Sequence, residues 1–246
     1  MKIVSAVIGC VLLFIVALLV TIPARFALQF APLPAGIQVG GVDGTLWRGE
    51  ADAVLVDDTM LRNVSWRVQP WSLLTGRVVA DVELGEHIDN LLIGGGRIRA
   101  SRSQLEVADL RVEARLVDLA AYAPEPSPFP LRGDVVLEIT SFVLGQPVCA
   151  QADGRVELVG GAIQVGQNWE NLGALEASLG CDSGYLTAEL SEPNSIGLSA
   201  SMRANMISAE GEFQIQESAD APRSVRNLVS MLPEQARQRQ RFNVRF

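Results

Sequence analysis

Histidine and lysine are almost absent from this sequence, and the two gaps remove whole classes of chemistry. His87 is the only imidazole, so no metal site built on two or more histidines can form, and neither a metal nor another cofactor is expected. Lys2 is the sole lysine, at the extreme N-terminus, so no phosphate-binding lysine follows the glycine run Gly94, Gly95, Gly96. Neither a G-x-S-x-G elbow nor H-E-x-x-H occurs. Asp57-Asp58, after Ala53-Val-Leu-Val, is the nearest thing to a paired-carboxylate site and reads as a polar hairpin turn. His87, between Glu86 and Ile88, reads as a strand-end surface residue. An enzyme is not expected. With 20 basic and 28 acidic side chains in 246 residues, a net charge of -8, the chain also lacks the clustered positive charge that binding to nucleic acid requires.

Apolar residues are plentiful but unevenly spread. Ile3 to Ala24 carries no charge, and only Ser5, Gly9, Cys10, Thr21 and Pro23 interrupt its aliphatics. As a helix rising about 1.5 Å per residue, it would span roughly 33 Å, enough for a hydrocarbon core of about 30 Å. A cleaved signal peptide and a permanent signal anchor both fit such a run. Its length exceeds the usual signal-peptide core, and no convincing small-x-small cleavage site precedes Pro32, which favours the uncleaved anchor over 1–24. The charge bias is thin, with Lys2 on one side and Arg25 on the other, and the expected orientation puts the N-terminus in the cytoplasm. A linker over 25–36, stiffened by Pro32 and Pro34, leads to an exported domain over 37–246. Cysteine usage agrees with export: Cys10 falls in the membrane segment, leaving Cys149 and Cys181 as a disulfide or as two buried thiols. A disulfide closing that loop would contribute roughly 3.5 to 4 kcal/mol in the chain-entropy model.

The exported part reads as all-β. Gly96-Arg-Ile-Arg-Ala, Gly133-Asp-Val-Val-Leu-Glu-Ile, Gly154-Arg-Val-Glu-Leu-Val and Gly211-Glu-Phe-Gln-Ile-Gln each suggest a glycine turn opening a strand of period two. The same alternation runs through Ser103 to Leu116, Leu186 to Ser191 and Ser195 to Ala204. Such strands bury one face and wet the other, and the expected architecture is a curved antiparallel meander or partly open barrel. Helical signals are short: one turn at Pro70-Trp-Ser-Leu-Leu, another over Val117 to Tyr122, and a short C-terminal helix over about 223–236. In that last helix Val225, Leu228, Val229 and Leu232 share a face, a stripe that more often packs on a sheet than on a membrane. Pro124, Pro126, Pro128 and Pro130 form an extended connector, which is commoner than an SH3-type ligand. From Pro222 onward six arginines face one acid, a local charge of +5, whereas Ile3 to Ala221 holds thirteen arginines against twenty-seven acids, or -14. This basic tail is expected to fold back on the acidic body, ending in a strand over about 241–246.

Tryptophan and arginine cluster in two blocks, Gly44-Thr-Leu-Trp-Arg-Gly-Glu-Ala and Trp66-Arg-Val-Gln-Pro-Trp-Ser-Leu-Leu-Thr-Gly-Arg. The rings could cap one end of a β core, with indole N–H groups bonded to backbone. They could instead form a partner-docking edge of Trp47, Arg48, Trp66, Arg67 and Trp71, since Trp and Arg are enriched in binding hot spots.

Together the two blocks resemble the N protein family of the type II (general) secretion pathway of Gram-negative bacteria, and the likeness extends over essentially the whole chain. It implies a single inner-membrane anchor, a periplasmic β domain and a non-enzymatic accessory role. In that role the domain would help assemble or stabilise the machine by contacting other secretion subunits, with the inner-membrane bilayer as its support. An anchor followed by a one-sided sheet is also similar to AsmA-like envelope proteins, which implies the alternative of a lipid-binding or lipid-transfer module with an apolar trough and a lipid ligand.

Overall fold

A computed structural model describes residues 20–30, 36–56, 59–85, 90–120, 130–216, 218, 221–231 and 237–245, with isolated positions between 7 and 18. Half of the expected membrane segment 1–24 lies outside these residues, as do Pro32, Pro34, Asp57, Asp58, His87, Pro124, Pro126, Pro128 and the end of the C-terminal helix. Among the described residues no helix is long and apolar enough to cross a membrane. The described positions of that segment are helical except Ile22 and Pro23, and Val7, Val11, Leu13, Phe14, Leu18 and Val20 are each more than half exposed.

Among the described residues, fourteen strands make an antiparallel sheet that does not close. They are β1 (Ile37–Gly44), β2 (Arg48–Val56), β3 (Thr59–Val68), β4 (Val78–Leu84), β5 (Ile93–Ala100), β6 (Leu105–Arg115), β7 (Leu131–Leu144) and β8 (Cys149–Val165). There follow β9 (Asn168–Asn171), β10 (Leu175–Asp182), β11 (Tyr185–Leu190), β12 (Leu198–Ala204), β13 (Ser208–Ile215) and β14 (Gln240–Arg245). Pairing follows chain order except that β10 joins β8 and β9 pairs β8 alone. Among the described residues from Ala24 onward, three short α-helices accompany the strands: α1 (Ala24–Phe30), α2 (Leu116–Ala120) and α3 (Arg223–Met231). The chain divides into two compact units, Met1–Asn90 with Ile98–Arg102, and Leu91–Arg97 with Ser103–Phe246.

The glycines do not stand where the alternation suggested. Gly96, Gly133, Gly154 and Gly211 lie inside β5, β7, β8 and β13 rather than opening them. Gly133 has φ 129° at a register shift between Arg132 and Asp134, where a Cβ would stand 2.9 Å from the Cα of Gly161. It marks a bulge that only glycine accommodates. At Gly211 the constraint is space, for a Cβ would meet the Ser201 carbonyl and the ring of Phe242.

In the second unit, alternation sets one face of each strand. Leu110, Val112 and Ala114 of β6 pair with Ile139, Leu137 and Val135 of β7, and those with Gly154, Val156 and Leu158 of β8. The opposite face carries Arg111, Glu113, Glu138 and Arg155. Arg111 donates to Glu113 at 2.8 Å and also to Glu138, which pairs in turn with Arg155. The hydrogen bond to Glu113 is the main reason that the Arg111 pKa is raised. α3 covers part of the apolar face, with Val225, Val229 and Ala221 buried against Ile163, Leu172, Ile196 and Ile215. The tail folds back as β14 on β13, and Arg239 reaches Glu212 at 3.1 Å. Cys149, at the start of β8, is bonded to Cys181 of β10, with Cα atoms 6.1 Å apart. Beside it the Gly184 carbonyl accepts from the backbone N–H groups of Val148 and Cys149 at 2.9 and 3.1 Å, holding the β10–β11 turn against the β7–β8 turn.

Candidate partner-docking site

The Trp- and Arg-rich blocks lie in the first unit, at the end of the sheet where β2 starts and β3 finishes. Register there is regular: Gly49 pairs with Trp66 and Trp66 with Val82, while Arg48 pairs with Arg67 and Arg67 with Asp81. Side chains on neighbouring residues of a strand point to opposite faces, whereas cross-strand partners share one. Trp66 therefore falls on the face of Val42, Ala51, Val64 and Val82, where Ala51 is 1% exposed. Arg48 and Arg67 fall on the other face.

Trp66 is a structural latch. Its indole N–H donates to the Leu46 carbonyl at 3.2 Å, tying β3 to the β1–β2 turn. The ring lies over Gly49, where a Cβ would stand 2.5 Å from Cζ2. Gly49 is thus the close-approach position that lets the ring lie flat. Trp47 is half-buried, and its carbonyl accepts from Val68 N–H at 2.8 Å. Trp71 stands apart on a 3-10 turn, Pro70–Thr75, and is 79% exposed.

Across the face opposite Trp66, β1 to β4 present a ladder of charge. Asp43 pairs with Glu50, Glu50 with Ser65 and Ser65 with Glu83, and beside that row runs Arg48, Arg67 and Asp81. These side chains line a shallow groove of about 350 Å³. Like charges directly opposite on neighbouring strands are unfavourable, so the Arg48 and Arg67 pair is a poor choice for stability alone. It is a good choice for presenting paired guanidinium groups to carboxylates of another surface. The acids of the ladder were legible one strand at a time, as Val-Asp-Gly in β1 and Val-Ala-Asp-Val-Glu-Leu in β4, but only the register joins them to the arginines.

A second ladder of the same kind lies in the other unit. Glu189 pairs with Ser201, Ser201 with Glu212 and Glu212 with Arg241, while Thr187 pairs with Arg203 and Arg203 with Glu210. The Arg203 guanidinium sits 4.0 Å over the ring of Tyr185. No triad geometry or metal-holding group is formed in either place among the described residues.

Residues 35–244 match the family described as type II secretion system (T2SS), protein N. Among curated proteins the chain is similar to the type II secretion system protein N of Vibrio cholerae serotype O1, 27% identical over 225 residues, covering 89% of this chain and 87% of that protein. A protein of the same name from Aeromonas hydrophila is 28% identical over 187 residues, 73% of each chain. That of Pectobacterium carotovorum subsp. carotovorum is 25% identical over 218 residues, 85% of this chain and 82% of the relative. No solved structure gives a significant match.

Proposed function

This chain belongs to the type II secretion system protein N family, and from that premise we propose that it is an inner-membrane protein whose periplasmic β domain steadies the secretion machine by binding other subunits. The N-terminal apolar segment serves as the anchor, with the cytoplasm on its N-terminal side, and residues 37–246 form the periplasmic part. Docking runs over the charged ladder of the first unit, and the observation that carries this reading is the cross-strand pairing of exposed Arg48 with Arg67. Two guanidinium groups held side by side offer an acidic partner surface charge-assisted hydrogen bonds with defined geometry. Asp43, Glu50, Asp81 and Glu83 around them set the register and reject partners of the wrong charge pattern. No catalytic step is assigned to the chain.

Co-purification of the full chain with the other secretion subunits tests this reading. Arg48→Glu with Arg67→Glu should leave the chain folded and membrane-bound while sharply lowering subunit recovery. Undiminished recovery would remove the ladder from the interface.

A further inference from the structure

The turn joining β3 to β4 is built as an apolar tip. Trp71 and Leu74 are 79% and 80% exposed, and Leu73 is 44% exposed. Both hydroxyl groups of the turn bond back to the backbone of the turn and of β4. Ser72 Oγ donates to the Gln69 carbonyl at 2.6 Å and accepts from Val79 N–H at 3.2 Å, Thr75 Oγ1 donates to the Ser72 carbonyl at 2.7 Å, and Gly76 N–H reaches the Leu73 carbonyl at 3.0 Å. A loop with its polar groups already paired can leave water at little cost, whereas one with open groups cannot.

The tip also lies at a particular end of the first unit. Val68, two residues before Pro70, donates to the Trp47 carbonyl at 2.8 Å; Leu46 donates to the Ile22 carbonyl at 3.0 Å, and Pro23 forms a bridge with Thr45. The turn therefore sits at the end of the sheet where the chain arrives from the uncharged run Ile3 to Ala24. Charge is sorted accordingly. Ile22 to Phe30, Gly44 to Arg48 and Gln69 to Arg77 contain Arg25, Arg48 and Arg77 and not one acid, although the chain has 28 acidic residues.

We propose that Trp71, Leu73 and Leu74 dip into the headgroup region of the bilayer that holds the N-terminal segment, with Arg25 and Arg77 against phospholipid phosphates. This rests on the anchor reading above. Tryptophan favours that depth because its ring is apolar and its N–H polar, and basic side chains beside it gain from anionic lipid. A tip fixed in the interface gives the domain a second point of attachment, so that the first unit is held at a set height and angle rather than swinging on one tether.

Tryptophan fluorescence of the full chain in nanodiscs of phosphatidylethanolamine and phosphatidylglycerol tests the proposal, comparing ordinary with brominated phospholipid. Bromine should quench part of the emission, and Trp71→Phe should remove most of that bromine-dependent loss. Leu74→Asp, which keeps the fluorophore but brings a carboxylate to the interface, should also reduce it. Bromine quenching that is absent, or unchanged in Trp71→Phe, overturns the proposal. An alkaline carbonate wash of native membranes separates the two failures. A chain that stays in the membrane while Trp71 is unquenched defeats the tip alone, and a chain released by the wash defeats the anchor and the tip together.

Discussion

Trp66 donates its indole N–H to the carbonyl of Leu46, 20 positions earlier in the chain, and this bond, with that from Val68 N–H to the Trp47 carbonyl, joins the end of β3 to the β1–β2 turn. It makes Trp66 a residue of the fold, and the proposed partner contact lies on the opposite face. Trp66→Phe keeps most of the ring and loses the bond, and should lower stability by about 1 kcal/mol in urea unfolding. Gly49→Val, which puts a branched side chain under the ring, should cost more, about 1 to 3 kcal/mol.

The opposed arginines predict an unusual separation of stability from function. Arg48→Glu replaces a like pair by an unlike one, so the unfolding free energy should stay level or rise by about 0.2 to 1 kcal/mol. Recovery of secretion subunits should fall in the same variant. A variant that loses both stability and partners would instead mark Arg48 as structural.

The disulfide should appear in non-reducing mass spectrometry as a linked Cys149 and Cys181 peptide, with Cys10 free. Replacing both bonded cysteines with alanine should cost about 2 to 5 kcal/mol. The loss should show first in β8 and β10, as faster hydrogen exchange beside the Gly184 carbonyl.

At Gly133, φ lies where L side chains are strained, and the bulge brings Gly161 close. Gly133→Val should destabilise the second unit by about 1 to 3 kcal/mol. The same substitution at Gly160, where nothing lies within 4 Å of a Cβ, carries only the strain of φ 62°. The difference between the two variants, read by thermal unfolding, gives the combined cost of the close approach and of the more strained φ at Gly133.

Much of this architecture was legible in period-two alternation, which is a local property: Leu105 to Arg115 and Leu198 to Ala204 read as strands because each residue shows on which side it prefers to lie. The glycines misled, because a glycine needed for space inside a strand looks the same in sequence as one needed for a turn. Gly211 faces Phe242, a neighbour 31 residues away in the chain, and no local pattern carries that information. The docking set of Trp47, Arg48, Trp66, Arg67 and Trp71 was likewise drawn from local sequence. Trp66 and Arg67 are adjacent in sequence, yet a strand sends them to opposite faces, and the acids that complete the ladder come from β1 and β4. Trp71, grouped by composition with the other tryptophans, is separated from them by the geometry of its turn.

In-cell photo-crosslinking from position 65 is the most direct test of docking over the ladder. A photoreactive amino acid replaces Ser65, which lies between Glu50 and Glu83 on the ladder face and leaves both arginines in place, in the full chain and in a strain that is actively secreting, with position 64 on the opposite face as the comparison. Adducts with other type II secretion subunits are expected from position 65 and few or none from position 64. Adducts from neither position, or equally from both, would contradict docking over the ladder.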